Sequence, residues 1–296
     1  MASFVVLLPM FTVIISILFV YALFNQWKQR RRIYQLIWLV SILLFIITAS
    51  IEVISELVGW QIDLYRIYLV LAASQVALLG GGTYYLMLQK NVFKSRGLAL
   101  FDIILLIIIA FFSWMMTLSS ITDYSALLFG RWEYPIIGIG IFSLAIGCAI
   151  LIGRGRDDSH KGVLHAHAYL IFSIVITLWM GAYAAVAEVD VDQLVTGTVV
   201  AGQAMAQHVR NFSPLLSVSG GFLLIGGALF SYFKTRLSFN LWIALGGLAI
   251  AISGAIARTS PELGIILYIG EVVGILLLYK GFIDSDRIAA ASQMST

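Results

Sequence analysis

The run "YIGEVVGILLLYKGF" at 268–282 is apolar enough to lie in lipid, yet it carries Glu271. A carboxyl group in hydrocarbon has three chemical uses: it can hold a proton, bind a cation, or hydrogen-bond a neighbouring helix. An ionised side chain near a bilayer centre costs about 3 kcal/mol on insertion scales, so Glu271 must face the interior of a bundle. Its helical neighbours Tyr268, Gly274 and Leu278 put a hydroxyl and a small residue on that face. A second stripe, Ser41, Phe45, Thr48, Glu52 and Glu56, recurs every three or four residues and so shares one helix face. Glu52 falls near the end of its apolar run, and Glu56 falls at the boundary, where plain solvation would account for it. A third stripe holds Tyr65, Tyr68, Ala72 and Gln75, with Arg66 beside it. Arg66 is the natural counter-ion for Glu52, Glu262 or Glu271, and carboxylates grouped round one arginine alter each other's protonation. Tyr65 and Tyr68 also fit an interfacial aromatic belt. The candidate ligand-binding set is Glu271, Glu52, Arg66, Gln75, Tyr65 and Tyr68. The structural alternative is a hydrogen-bonded network that glues helices together.

Other chemistries find less support. A b-type haem needs two histidines at similar depth on facing helices. His165 and His167 stand two apart on one helix and so point to different faces, while His160 and His208 fall in loops on opposite sides. No His-Glu-x-x-His spacing offers a zinc site, and the single Cys148 allows neither an intramolecular disulfide nor a cysteine metal site. Lys280 sits near the end of its apolar run, where lysine snorkels to headgroups. "GGGTYY" (80–85) lies inside a continuous apolar run with no pore helix before it. Asp102, beside Lys94 and Arg96, reads as a paired or snorkelling carboxylate. The sequence implies no catalytic residue, metal or cofactor, and no enzyme.

The elements that must position these residues follow from composition. The chain has 296 residues, 61% hydrophobic and only 11% charged. Soluble domains carry about 25% charged residues, so bilayer lipid must be the solvent for most of this surface. The net charge of +3 does not indicate a nucleic-acid partner, because the basic residues lie in short loops. Nine apolar runs are long enough, or nearly so, to span: 3–25, 33–57, 64–89, 98–121, 135–153, 163–188, 214–233, 239–257 and 264–283. Lipid has no partners for open strand edges, so the spans must be helices. With the N-terminus outside, 14 of the 18 lysines and arginines fall on the inner side, as the positive-inside rule requires. The expected fold is an all-α polytopic bundle of about nine spans over 1–283, N-terminus outside and C-terminus cytoplasmic. Residues 189–213 form a long outer flap, too polar to span. Residues 284–296 read as a disordered cytoplasmic tail, and the N-terminal run reads as a retained span because no basic segment precedes it.

The stretches "ELVGWQIDLYRIYLVLAASQVALLGGGTYYL" (56–86), "HVRNFSPLLSVSGGFLLIGGALFSYF" (208–233) and "YIGEVVGILLLYKGFI" (268–283) resemble a family of uncharacterised prokaryotic multi-pass membrane proteins. The chain is also loosely similar to the seven-helix membrane regions of bacterial sensor kinases, with no kinase domain following. The resemblance implies a prokaryotic cytoplasmic (inner) membrane location. The expected function is an outward-facing polar cavity, lined by the second, third and ninth spans, that binds or transports a small ligand or ion. The alternative is a non-catalytic membrane subunit or sensor module that works through a partner membrane protein.

Overall fold

A computed structural model describes residues 5–89, 95–119, 136–154, 158–194, 203–259 and 263–294. Among these residues the structure is helical throughout, apart from one isolated antiparallel bridge between Val189 and Met205. The helices are α1 (Leu7–Arg30), α2 (Ile33–Val58), α3 (Ile62–Gln89), α4 (Ser95–Ser119), α5 (Ile141–Gly153), α6 (Asp158–Val186), α7 (Gln207–Thr235), α8 (Ser238–Thr259) and α9 (Ile265–Met294). A π-helical turn, Ile136–Gly140, leads into α5. All but α4 and α5 are long and apolar enough to cross a membrane, and those two contain shorter apolar helices at Leu100–Met115 and Gly138–Gly153. The all-α bundle expected from the apolar runs is the observed architecture. The expected boundaries differ most at the ends, where amphipathic turns extend the helices past their apolar centres.

Short connections join α1 to α2, α2 to α3 and α7 to α8, which makes these pairs antiparallel. Arg31, in the left-handed region at φ 50°, ends α1 by donating its N–H to the Trp27 carbonyl. Its guanidinium stacks 4.5 Å over the Trp27 ring. Gly59, at φ 92°, ends α2, a conformation that a side chain would disfavour. Arg236 closes α7 as Arg31 closes α1, with φ 57° and its N–H on the Tyr232 carbonyl. Cationic caps at these C-termini also suit the negative end of the helix dipole.

Helix α3 is the hub. It packs against α2, α6 and α7. The crossing with α7 is a backbone contact: a Cβ built on Gly80 would fall on Gly220, and one on Gly220 would fall on Val76 and Ala77. Helices α8 and α9 meet through Gly246, Gly270 and Gly274, with a Cβ on Gly246 reaching to 2.7 Å of the Gly274 carbonyl. Such small-residue seams suit helix association in lipid, where dispersion rather than water exclusion holds helices together. Helix α9 also packs on α1, closing that side of the bundle. The outer surfaces are apolar, including Phe11, Ile14, Leu144, Leu151 and Leu178, each more than half exposed. In water such a surface would aggregate; facing acyl chains it is satisfied.

One expectation needs revision. The segment from Asp284, expected as a tail, continues α9 as helix to Met294. Asp286 explains part of this, because its carboxylate accepts from Arg30 Nη2 at 2.6 Å and ties the extension to the end of α1. The flap at 189–213 is anchored at both described ends. Asp190 N–H donates to the Ala204 carbonyl at 2.8 Å, and Met205, Val209 and Phe212 are buried. Residues 195–202 of that segment lie outside the described residues.

Candidate functional site

The glycine seam on α9 sets the direction of Glu271. Gly270 and Gly274 turn toward α8, and Ile269, Val273 and Leu276 are exposed. At 100° per residue this leaves Glu271, Ile275, Leu278 and Phe282 on the remaining face, toward the interior, and all four are buried. On α2 the stripe Ser41, Phe45, Thr48, Glu52, Glu56 is buried along its whole length. Glu52 lies within hydrogen-bonding reach of both Glu271 and Tyr68. One helical turn further, the Tyr268 hydroxyl donates to Glu56 Oε1 at 3.0 Å. The result is a cluster of three carboxyl groups and two phenols from α2, α3 and α9. Trp60 lies beside it, edge-on to the Tyr68 ring at 5.3 Å and the Tyr65 ring at 5.9 Å.

The chemistry of this cluster is acceptor-rich. Glu52 Oε2, Glu56 Oε2 and Glu271 Oε2 are buried and have no hydrogen-bond partner among the described residues. A carboxylate only accepts, so two carboxyl groups within reach of each other can bond only if one of them carries a proton. Leaving a buried acceptor unmade costs about 1–3 kcal/mol. The described residues supply no lysine or arginine to this cluster. Nor do three His, Cys, Asp or Glu side chains converge as metal ligands among the described residues. The cluster thus offers more buried acceptors than donors among the described residues.

Of the residues selected from sequence, Glu52, Tyr68 and Glu271 meet. Arg66 does not join them. Its Nη2 donates to the Ala187 carbonyl at 2.8 Å and its Nη1 to Asp63 Oδ1 at 3.4 Å, so it fastens the flap end of α6 to α3. The reason is helical phase: Arg66 is two residues from Tyr68 and so faces away from it. Gln75 lies two turns deeper than Tyr68. Its side-chain oxygen accepts from Thr48 at 3.1 Å and its backbone carbonyl from Ser41 at 2.6 Å, pinning α2 to α3. Tyr65 is fully buried and turned to the Ala204–Met205 backbone of the flap. The interfacial-belt alternative for Tyr65 and Tyr68 is thus corrected: neither ring is exposed, because the flap and Trp60 cover them. Solvation does not explain Glu56 either, which is 5% exposed. Glu262 lies outside the described residues.

Glu56 and Tyr268 are the members that sequence selection left out. Each stands one turn from a selected residue, Glu56 four after Glu52 and Tyr268 three before Glu271. Asp102, read as a paired or snorkelling carboxylate, is paired: it bonds Tyr84 and His165, while the side chains of Lys94 and Arg96 lie outside those described. His165 and His167 do diverge, with His167 Nδ1 at 2.7 Å from the Val163 carbonyl and its ring against Tyr85. Lys280 is half exposed, paired with Asp284 at 3.1 Å, as a snorkelling lysine would be. No protein-family model, curated protein or solved structure matches this chain.

Proposed function

We propose that the carboxyl cluster is an outward-facing site for a proton or a small cation. On this reading the chain binds or carries that species across a prokaryotic cytoplasmic membrane, through nine spans with the N-terminus outside. The single observation behind it is the approach of Glu52 to Glu271, with Glu56 one turn away, a buried oxygen on each of the three left without a hydrogen bond, and no cationic side chain beside them among the described residues. A structural network would normally match buried acceptors with donors, since each unmade bond is a loss. Cation binding at such a site needs ionised carboxyls, so protons compete with it and binding must weaken as pH falls.

The test uses the purified protein in lipid nanodiscs, with sodium, ammonium and tetramethylammonium chloride as probes and choline chloride at equal ionic strength as control. Infrared difference spectra on pH titration should show a protonated-carboxyl C=O band that disappears reversibly. Glu52→Gln and Glu271→Gln should each remove it. If a probe cation binds, it should raise the melting temperature and suppress the same band. A carboxyl band insensitive to pH and to every probe would defeat the reading.

The alternative, a membrane subunit or sensor module, draws on one observation: α9 continues as helix past the Arg30–Asp286 contact to Met294. That extension is a surface for a partner protein. Stoichiometric co-purification that is lost on truncation after Arg287 would favour it.

A further inference from the structure

We infer that Tyr84, Asp102 and His165 form a second proton-binding site, at the opposite end of the bundle from the carboxyl cluster and independent of it. Tyr84 and Tyr68 are 16 residues apart on α3, roughly 24 Å along the axis. Three helices supply the site: Tyr84 near the end of α3, Asp102 in the second turn of α4, and His165 in the second turn of α6. The Tyr84 hydroxyl donates to Asp102 Oδ1 at 2.5 Å. The other oxygen, Oδ2, lies 2.5 Å from His165 Nδ1. All three side chains are buried, at 0%, 7% and 8% exposure.

The arrangement assigns the protons. Asp102 uses one oxygen for a phenol donor and the other for an N–H donor, as an ionised carboxylate does. Its hold on Nδ1–H fixes the imidazole tautomer and leaves Nε2 as the basic atom. Nε2 makes no hydrogen bond among the described residues. The side chain keeps 10% of its surface. Proton uptake at Nε2 turns a lone buried carboxylate into an imidazolium–carboxylate pair. No bond between heavy atoms has to move.

Among the described side chains, the other titratable groups on the elements packed around the site are turned elsewhere; those of Lys94, just before α4, of Arg96 on α4 and of His160 on α6 lie outside those described. On α3, Tyr85 faces His167, which turns to the Val163 carbonyl. On α6, the Tyr169 hydroxyl pairs with Ser219 of α7 at 3.1 Å, and Lys161, one turn before His165, has contacts of its own. Arg154, at the end of α5, is exposed. The site also has a mechanical connection. The Tyr84 ring stacks on Phe101 at 5.8 Å, and Phe101 stacks on Phe222 at 5.0 Å. Phe222 opens the π-helical turn of α7 (Phe222–Gly226), a local irregularity of the kind found at functional positions.

The experiment is two-bond 15N–1H correlation NMR of the full chain in nanodiscs, with its four histidines 15N-labelled. His165→Gln assigns the signals. The expected wild-type result is an Nδ1–H tautomer for His165, with Nε2 taking up a proton on acidification while Nδ1 stays protonated. Asp102→Asn should abolish the tautomer preference. Glu271→Gln should leave it unchanged, which separates this site from the carboxyl cluster. A His165 whose Nε2 takes up no proton on acidification of the folded protein, or whose Nδ1 carries no proton at neutral pH, overturns the proposal. If Asp102→Asn does not fold, the wild-type spectra decide the matter alone.

Discussion

At the scale of single residues, burial separates contacts that stabilise from contacts that decorate. The Tyr268 hydroxyl is the donor for Glu56, and both side chains are buried. Removing it in Tyr268→Phe strands an acceptor, with an expected loss of about 1–3 kcal/mol. Asp286→Ala removes an ion pair whose side chains keep 26% and 41% of their surface. That loss should stay below about 1 kcal/mol, because surface pairs are screened and entropically costly. Denaturant-induced unfolding in mixed micelles, followed by tryptophan fluorescence, should rank the two variants in that order. Glu52 and Glu271 should behave as a unit. The double Gln variant should depart from additivity by about 0.5–3 kcal/mol, since each residue's environment is the other. Additive losses would show that the two carboxyl groups do not interact.

At the scale of elements, the crossing of α3 and α7 fixes where the polar clusters lie. Gly80 and Gly220 place the two backbones in contact, so any added carbon must separate the helices. Gly80→Ala is expected to cost about 1–3 kcal/mol through overpacking. Gly147→Ala on α5 provides the opposite sign: nothing lies within 4 Å of a Cβ there, and alanine is the better helix former by roughly 0.5–1 kcal/mol. Thermal unfolding of the two variants side by side should show a lower midpoint for the first and an unchanged or higher one for the second. The α8–α9 seam works by the same close approach, with a functional consequence. By taking up the small-residue face of α9, it forces the adjacent face, and Glu271 with it, toward α2 and α3.

At the scale of the whole molecule, the described residues place one polar cluster near each end of α3, in a body that is mostly apolar inside and outside. Between them Ser41, Thr48 and Gln75 join α2 to α3, so the intervening layer is held by polar contacts as well as by packing. The proposed arrangement across the membrane makes a direct prediction. Cysteines at Asp192 and Thr235, both exposed and separated by the length of α7, should react with a membrane-impermeant maleimide from opposite sides, in a Cys148→Ala background. The Asp192 position should react from outside. Labelling of both from one side would refute the nine-span arrangement.

Much of this was set by the order of residues alone. Apolar runs of about 20 residues leave the backbone no structure in lipid but helix, and a carboxyl group within them must turn inward. The stripes on α2 and α9 were therefore legible, including the inward direction of Glu52 and Glu271. Which stripes would meet was not. The four-residue spacing of Glu56 and the helical phase of Arg66 give faces, but a face has no partner until helices are docked. Arg66, chosen by charge as a counter-ion, lies on the side of α3 that meets the flap. Tyr84, Asp102 and His165 had matching depths in their helices, yet 81 residues separate the first from the last and nothing local announces the bond. Only the docking of α3, α4 and α6 brings those three groups to one point.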